Sequence, residues 1–472
     1  MNEKKLDNNF SRRYLVLAAL VPGIIMGPID ASIVNIVLPT ITEYFAVDIS
    51  TAQWVPMIYL LIISSLLLFY GRLGDIIGYK KIYLTGVVGF IVGSAMCSLA
   101  PSIYWLIAFR ALQGIFAGMM MSVPYAIIVA TFPPEERGRA LGINAISMAV
   151  GLAIGPLLGG FVTSLWGWRF AFLINVPIGI LGFIWGFYVV PEFRGQPSKV
   201  DILGAITAFI FLFFILFFVN RFQSAGINNA TITMLIIGVL SFIGFIFVES
   251  RAKQPMINLA LFKNFTFSFA SLSALLNFMS QYVMVFVTPF YLQKVLQFQA
   301  NNIGLVMAFF PLATMTVAPF SGYLSDKVGT KSLAALGTGI CALSLFLMSR
   351  LKIPSTSADV IWRLILFGIG TGIFQSPNNS AVMGSSPKNY LGVASGILGI
   401  MRNVGMSLGI ATGGMVLYSF VPATLLKSAA LEGIDALNFL TGLSHAYVVG
   451  AILAGIAVIT SLLGGKRGKI TT

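Results

Sequence analysis

Apolar stretches of at least ~18 residues recur fourteen times along the 472-residue chain, each bounded by charged or turn residues. They cover 14–38, 53–70, 82–100, 103–131, 140–163, 170–190, 202–219, 232–248, 267–291, 303–324, 332–348, 361–383, 391–418 and 446–463. A helix rises 1.5 Å per residue, so each stretch reaches across a hydrocarbon core about 30 Å thick. Only a bundle of transmembrane helices satisfies the backbone of such a chain in lipid. The expected fold class is therefore an all-α membrane protein with 14 spans.

Charge follows the same pattern. Lys and Arg exceed Asp and Glu by 14, a surplus that in a soluble chain would suggest nucleic acid as partner. Here the basic residues sit in short loops: 20 of 29 lie on one side of the membrane when the N-terminus is inside, and 6 on the other. The bias puts both termini in the cytoplasm. Lys4, Lys5, Arg12 and Arg13 before the first span imitate a secretory leader, but the run behind them is too long and lacks a cleavage site.

The chain contains a repeat. Gly71, Asp75, Gly78 and Lys80 recur 251 residues later as Gly322, Asp326, Gly329 and Lys331, and Gly151, Gly155, Gly159 and Gly160 recur 254 residues on as Gly405, Gly409, Gly413 and Gly414. Spans one to six thus match spans nine to fourteen, in parallel because an even number of spans precedes the second copy. The organisation read from this is a cytoplasmic tail (1–13), a six-helix bundle (14–190), a linker with two additional helices (191–264), a second six-helix bundle (265–465) and a cytoplasmic tail (466–472). Two such bundles face one central cavity.

Asp30 is the one acidic residue inside a span, and such residues usually mark ion or proton paths. Arg110 in span four lies at a similar depth, roughly 11–14 Å from the outer end. The arginine favours the ionised carboxylate and desolvation the protonated one, the balance that proton coupling requires. Gln281 occupies the position of Asp30 in the second copy. Glycines at i+4 spacing, Gly151, Gly155 and Gly159, together with Pro156 and Gly160, clear one helix face for close approach, expected to be a bundle interface. Candidate cavity residues are Asn35, Trp54, Tyr59, Gln113, Asn277, Gln281, Gln375, Asn378 and Arg402, the last without an acidic partner in its own half. With one carboxylate available, neutral, zwitterionic or monocationic lipophiles are expected as cargo, and rigid dications are not.

Catalysis finds no support. The single His445 stands at a span's outer mouth, Cys97 and Cys341 lie within apolar runs, and no phosphate-binding G-x-x-x-x-G-K-[ST] occurs.

The segments 30–39, 71–81, 110–114, 151–160 and 168–177, with the connector 254–262, resemble the major facilitator superfamily, and within it the fourteen-span drug:proton antiporters. The resemblance covers nearly the whole chain. It implies a major facilitator fold with two pseudo-twofold-related bundles and two inserted helices. It also implies alternating access, proton-driven exchange at Asp30 and Arg110, a gating motif at Gly71, Asp75, Gly78, Lys80, Gly322, Asp326 and Gly329, and an antiporter motif at Gly151–Gly160. The expected function is proton-coupled export of small amphipathic compounds by a plasma-membrane monomer that contacts lipid, with no cofactor and no nucleic acid. A lipid flippase on the same fold, or a non-transporting membrane sensor, is the alternative.

Overall fold

The computed structural model describes residues 3–193, 202–225, 228–251, 259–353, 355–386, 391–421, 431 and 433–464, and every regular element among them is helical. The first half runs α1 (Glu3–Tyr44), α2 (Ile49–Ala52), α3 (Trp54–Ile77), α4 (Tyr79–Ser98), α5 (Ile103–Ser122), α6 (Pro124–Thr131), α7 (Pro134–Trp166), α8 (Phe170–Leu173) and α9 (Asn175–Val189). Then follow α10 (Ile202–Ala225), α11 (Asn229–Arg251), a 3₁₀ turn (Leu259–Lys263), α12 (Phe265–Lys294), α13 (Ala300–Val328), α14 (Thr330–Met348), α15 (Ser357–Gly384), α16 (Leu391–Phe420) and α17 (Gly433–Leu463).

Local chemistry sets these boundaries. Asn264 caps α12 by accepting from the amides of Thr266 and Phe267, and Thr356 with Asp359 forms a capping box at α15. Pro124 opens α6, so the long fourth apolar stretch is a helix broken at Val123. Gly78 and Gly329 adopt φ of +116° and +93° at equivalent turns, α3 to α4 and α13 to α14. That left-handed backbone favours glycine.

Among the described residues, twelve segments are long and apolar enough to cross a membrane, against the fourteen expected. The other two expected stretches fall in α10, helical over 24 residues, and in α16, helical over 30. Large apolar side chains such as Leu181, Tyr188, Leu240 and Phe247 are exposed, a surface that lipid and not water satisfies.

The repeat is visible in the packing. Within the first half α1 pairs with α7 and α9, α5 with α3 and α4, and α4 with α9. The second half repeats each pairing: α12 with α16 and α17, α15 with α13 and α14, and α14 with α17. The close approaches repeat as well. A Cβ on Gly86 would lie 2.5 Å from the Met120 amide nitrogen, and one on Gly337, 251 positions later, 2.6 Å from the Phe374 nitrogen.

The halves meet along two seams, α7 against α13 and α3 against α16. The inserted α10 bridges the second seam, packing on both α3 and α16, with Phe217 5.2 Å from Trp54 and Phe213 stacked on Phe217 at 5.6 Å.

Candidate functional site

Asp30 sits on α1 with no solvent exposure, and its carboxylate is bonded from α5 and α9, whose donors are tied in turn to α3 and α4. Arg110 on α5 donates through Nη1 to Asp30 Oδ2 at 2.5 Å and to Gln113 Oε1 at 2.6 Å. Its Nε donates to the Val55 carbonyl of α3 at 3.2 Å, and the guanidinium lies 3.9 Å from the Tyr59 ring centre. Gln113, one turn along α5, donates to Asp30 Oδ1 at 3.1 Å and to Ser94 Oγ of α4 at 2.7 Å. Asn175, the first residue of α9, donates to the same Oδ1 at 3.0 Å and to Ser94 Oγ at 3.3 Å.

Both carboxylate oxygens are therefore occupied by charge-assisted bonds, the strong kind. Breaking such a pair by removing one partner leaves an uncompensated charge at a cost of about 3–5 kcal/mol. The Nη2 of Arg110 and the Tyr59 hydroxyl are buried without a hydrogen-bond partner among the described residues.

This placement corrects one expectation. Asp30 and Arg110 do not face the cavity between the halves: the network is enclosed within the first six spans. The reason is that Arg110, Gln113 and Asn175 together saturate the carboxylate from inside the bundle, and Asp30 is thus unavailable to neutralise a cationic cargo in that cavity.

The inter-half cavity, about 640 Å³ including its open mouth, is lined by Ser32 and Ile36 of α1, Leu152 and Pro156 of α7, and Gln281, Tyr282 and Val285 of α12. Met307, Phe310, Pro311, Thr314 and Met315 of α13 and Gln375 of α15 complete it. Of the nine candidate cavity residues, Gln281 and Gln375 are in this wall. Tyr59 and Gln113 belong to the charge network instead, and Trp54 faces α10. Asn35 bonds back to the Ala31 carbonyl of its own helix. Asn277 is buried in the second bundle with its amide 3.8 Å from Cys341 Sγ, while Asn378 lines a separate pocket with Lys331, Ser461 and Gly464. Arg402 is half-buried on α16 with no hydrogen bond or ion pair among the described residues, within electrostatic reach of Tyr282.

The glycine stripe also departs from expectation. A Cβ on Gly151, Gly155 or Gly159 would collide with Ile25, Ser32 or Ile33 of α1, so these glycines serve packing inside the first half and not the interface. Only Gly160 reaches across: its Cβ would meet the Ala300 carbonyl at 2.5 Å and Gly304 Cα at 3.0 Å, and the Pro156 carbonyl abuts Gly304. The second copy repeats this, with Gly405 and Gly409 on α12 and Gly414 against Gln53. The i+4 period reads one helix face, whereas Gly160, one residue off it, points to the other half.

At the end of the molecule where α1 begins, the first copy of the gating motif is tied to the end of α9. Lys80 Nζ donates to the Phe187 carbonyl at 2.7 Å, the Lys80 amide to Glu192 Oε1 at 3.1 Å and the Tyr79 amide to the Phe193 carbonyl at 2.9 Å. All three contacts of this gating motif lie within the first half. Gly71 and Gly329 have open space around them, and Gly322 approaches Ser376. The side chains of Asp75 and Asp326 lie outside the described residues, as do 466–472 and most of the connector 254–262. At the opposite end, Gln293 donates to Glu43 Oε2 at 2.9 Å across the halves.

Sequence reasoning missed Ser94, the shared acceptor of Gln113 and Asn175, and the cavity residues Ser32, Tyr282 and Thr314. A serine in an apolar span carries no periodic signal, and Tyr282 stands beside Gln281 without a charge to draw notice. Among the described residues, no group of three His, Cys, Asp or Glu side chains converges to hold a metal.

The Major Facilitator Superfamily model matches residues 20–410. The riboflavin transporter RibZ of Clostridioides difficile is 32% identical over 410 residues, covering 85% of this chain and 87% of that protein. Multidrug resistance protein Stp of Mycobacterium tuberculosis is 32% identical, and the tetracenomycin C resistance and export protein of Streptomyces glaucescens 30%, each over 415 residues, 87% of this chain and 77% of the relative. Among solved structures, a bacterial homolog to the human lysosomal transporter Spinster, inward-facing and unoccupied, aligns with a TM-score of 0.69 at 18% identity over 96% of this chain and 97% of that one. A POT family transporter in complex with a thioalcohol-conjugated peptide aligns with 0.70 at 16% identity over 94% of each chain, a likeness of fold. Two repeated bundles, a cavity at their seam and these matches give one conclusion: the chain belongs to the Major Facilitator Superfamily and is a multi-pass membrane transporter of small molecules, not an enzyme.

Proposed function

We propose that this transporter is a fourteen-span, proton-coupled exporter of small amphipathic compounds, acting as a monomer in the plasma membrane with both termini in the cytoplasm. The observation that carries the reading is the saturated, unexposed Asp30, held by Arg110, Gln113 and Asn175 across the first bundle. Protonation of Asp30 removes the counterion of Arg110 and weakens three bonds at once. The helix that carries Asp30 also lines the cavity, through Ser32 and Ile36. A proton event inside the bundle is thus felt two residues away at the cargo wall, and the two need not compete for one carboxylate.

The seam contacts support a state closed to the outside: Gly160 on Gly304, Gln53 on Gly414, and Gln293 on Glu43 all lie at the end opposite the start of α1. With the N-terminus inside, that end is extracellular. Support for export, not import, comes from Stp and the tetracenomycin C protein, both named for resistance.

The test uses purified protein in liposomes loaded with a pH-sensitive dye, with an imposed proton gradient and a panel of fluorescent amphiphiles that includes a labelled lipid. Cargo-dependent proton flux, lost in Asp30→Asn, is expected. Gradient-driven transport by Asp30→Asn at the wild-type rate refutes the coupling, and exclusive movement of the lipid makes the protein a flippase.

A further inference from the structure

The two copies of the gating motif differ in what they hold. In the first, the Glu192 carboxylate from just beyond α9 sits at the N-terminus of α4: its Oε1 accepts from the Lys80 amide at 3.1 Å, and a Cβ on Gly78 would run into it. An anion there meets the positive end of the helix. In the second copy no such carboxylate stands at the N-terminus of α14 among the described residues, and a Cβ on Gly329 would meet nothing within 4 Å. α17 packs on α14 as α9 packs on α4, but the sequence after its last turn, 464–472, holds Lys466, Arg467 and Lys469 and no Asp or Glu. Asp75 and Asp326 occupy the same place in both copies, so they do not account for the difference.

A pocket takes the place of the missing carboxylate. It encloses about 260 Å³ including its open mouth, and its polar wall is Thr330 and Lys331 from the first turn of α14, Asn378 of α15 and Ser461 of α17. Three alanines and Gly464 complete it. Asn378 is only 2% exposed and Ser461 6%, yet Asn378 Nδ2 and Ser461 Oγ have no hydrogen-bond partner among the described residues. Buried polar groups in proteins are ordinarily bonded, so two left over in one pocket wall call for a partner from outside the chain. Each polar side chain of the wall can donate: the Lys331 ammonium, the Asn378 amide and the Thr330 and Ser461 hydroxyls. With the start of α14 beside them and no acidic residue in the wall, the partner that fits is an anion with several acceptor oxygens.

We propose that this pocket binds a phosphate group, and that the bound anion does for the second half what Glu192 does for the first, joining the start of α14 to the end of α17. Two sources supply that chemistry at this end of the molecule: the headgroup of a phospholipid and soluble phosphate. Leu463, next to Gly464 of the wall, is an exposed apolar side chain of the kind that lipid covers. The site is separate from the cavity between the halves and does not depend on the cargo or on proton coupling.

Melting of the full-length protein in an uncharged detergent, followed by tryptophan fluorescence, tests this with three additions. They are dioleoylphosphatidic acid, dioleoylglycerol, which has the same chains and no phosphate, and sodium phosphate measured against sodium chloride at equal ionic strength. A ligand that binds only the folded state raises the melting temperature. Phosphatidic acid is expected to raise it by several degrees and dioleoylglycerol not to. Lys331→Gln and Asn378→Leu should each lose most of that rise. Ser461→Asp, which supplies a carboxylate from the chain as Glu192 does in the first copy, should lose nearly all of it. A rise with sodium phosphate equal to that with phosphatidic acid assigns the pocket to the soluble ion, and a rise with phosphatidic acid alone assigns it to the headgroup. An equal rise from dioleoylglycerol, or no rise from either phosphate source, overturns the proposal. Lys331 is exposed, so its substitution leaves the fold intact, and an undiminished rise in Lys331→Gln overturns the proposal even should the two buried variants not fold.

Discussion

Replacing Asp30 by Asn, alone and with Arg110→Gln, measures what the enclosed pair does for the fold. The single change leaves Arg110 unexposed with Gln113 Oε1 at 2.6 Å and the Val55 carbonyl at 3.2 Å as its remaining acceptors, neither of them charged. Removing one partner of a buried pair costs about 3–5 kcal/mol, because the other charge stays behind in a low-dielectric setting. At about 2–4 °C per kcal/mol for a cooperative unit of ~200 residues, the expected loss of melting temperature is on the order of 10 °C. The Arg110→Gln variant should lose a similar amount, since a bare carboxylate would then rest on Gln113 and Asn175 alone. The double variant removes both charges and keeps an amide at each position. It should therefore melt above either single variant, with a coupling energy of at least about 2 kcal/mol. Melting of the detergent-solubilised protein, followed by the fluorescence of its tryptophans, reads all four proteins. Strict additivity, or an Asp30→Asn protein that melts within about a degree of wild type, refutes the argument that these charges depend on each other.

The glycine assignments give three further expectations. Gly78→Ala forces φ of +116° on a side chain and drives a Cβ into Glu192, so it should destabilise by about 1–3 kcal/mol, more than Gly329→Ala, where φ is +93° but nothing stands within 4 Å; melting temperatures rank the two. Gly155→Leu should collapse expression, because its side chain enters α1 at Ser32, and a monodisperse, active Gly155→Leu protein would remove the packing role. Gly160→Leu should fold yet hold α7 away from Ala300 and Gly304, so that a cysteine placed at Gln293 reacts faster with an impermeant maleimide from outside; unchanged labelling contradicts the seam.

Much of the fold was legible because lipid imposes a single solution on each apolar stretch, and because the repeat supplies its own control: an offset of 251 predicted in sequence reappears as equivalent turns at Gly78 and Gly329. What stayed hidden was direction. Periodicity says that Gly151, Gly155 and Gly159 share a face but not which neighbour that face meets, and α1 took it instead of the second half. Depth estimates paired Asp30 with Arg110 but could not say whether the pair looks toward the cavity. That depended on Gln113, Asn175 and Ser94, whose convergence is a matter of helix rotation and leaves no mark on spacing.

The symmetry of the scaffold sharpens the asymmetry of its chemistry. Asp30 and Gln281 stand at equivalent positions 251 residues apart, on helices that pack against equivalent neighbours. In the first half the neighbours supply Arg110, Gln113 and Asn175, and the side chain is drawn inward and saturated. In the second half Gln281 lines the cavity, its Oε1 without a hydrogen-bond partner among the described residues. A charge needs partners at any cost in hydrocarbon, whereas an amide tolerates waiting for one at a cost of only about 1–3 kcal/mol. One duplicated helix thus yields a closed site suited to a proton and an open one suited to cargo, and the second copy could not carry an aspartate without building the first copy's entire shell around it.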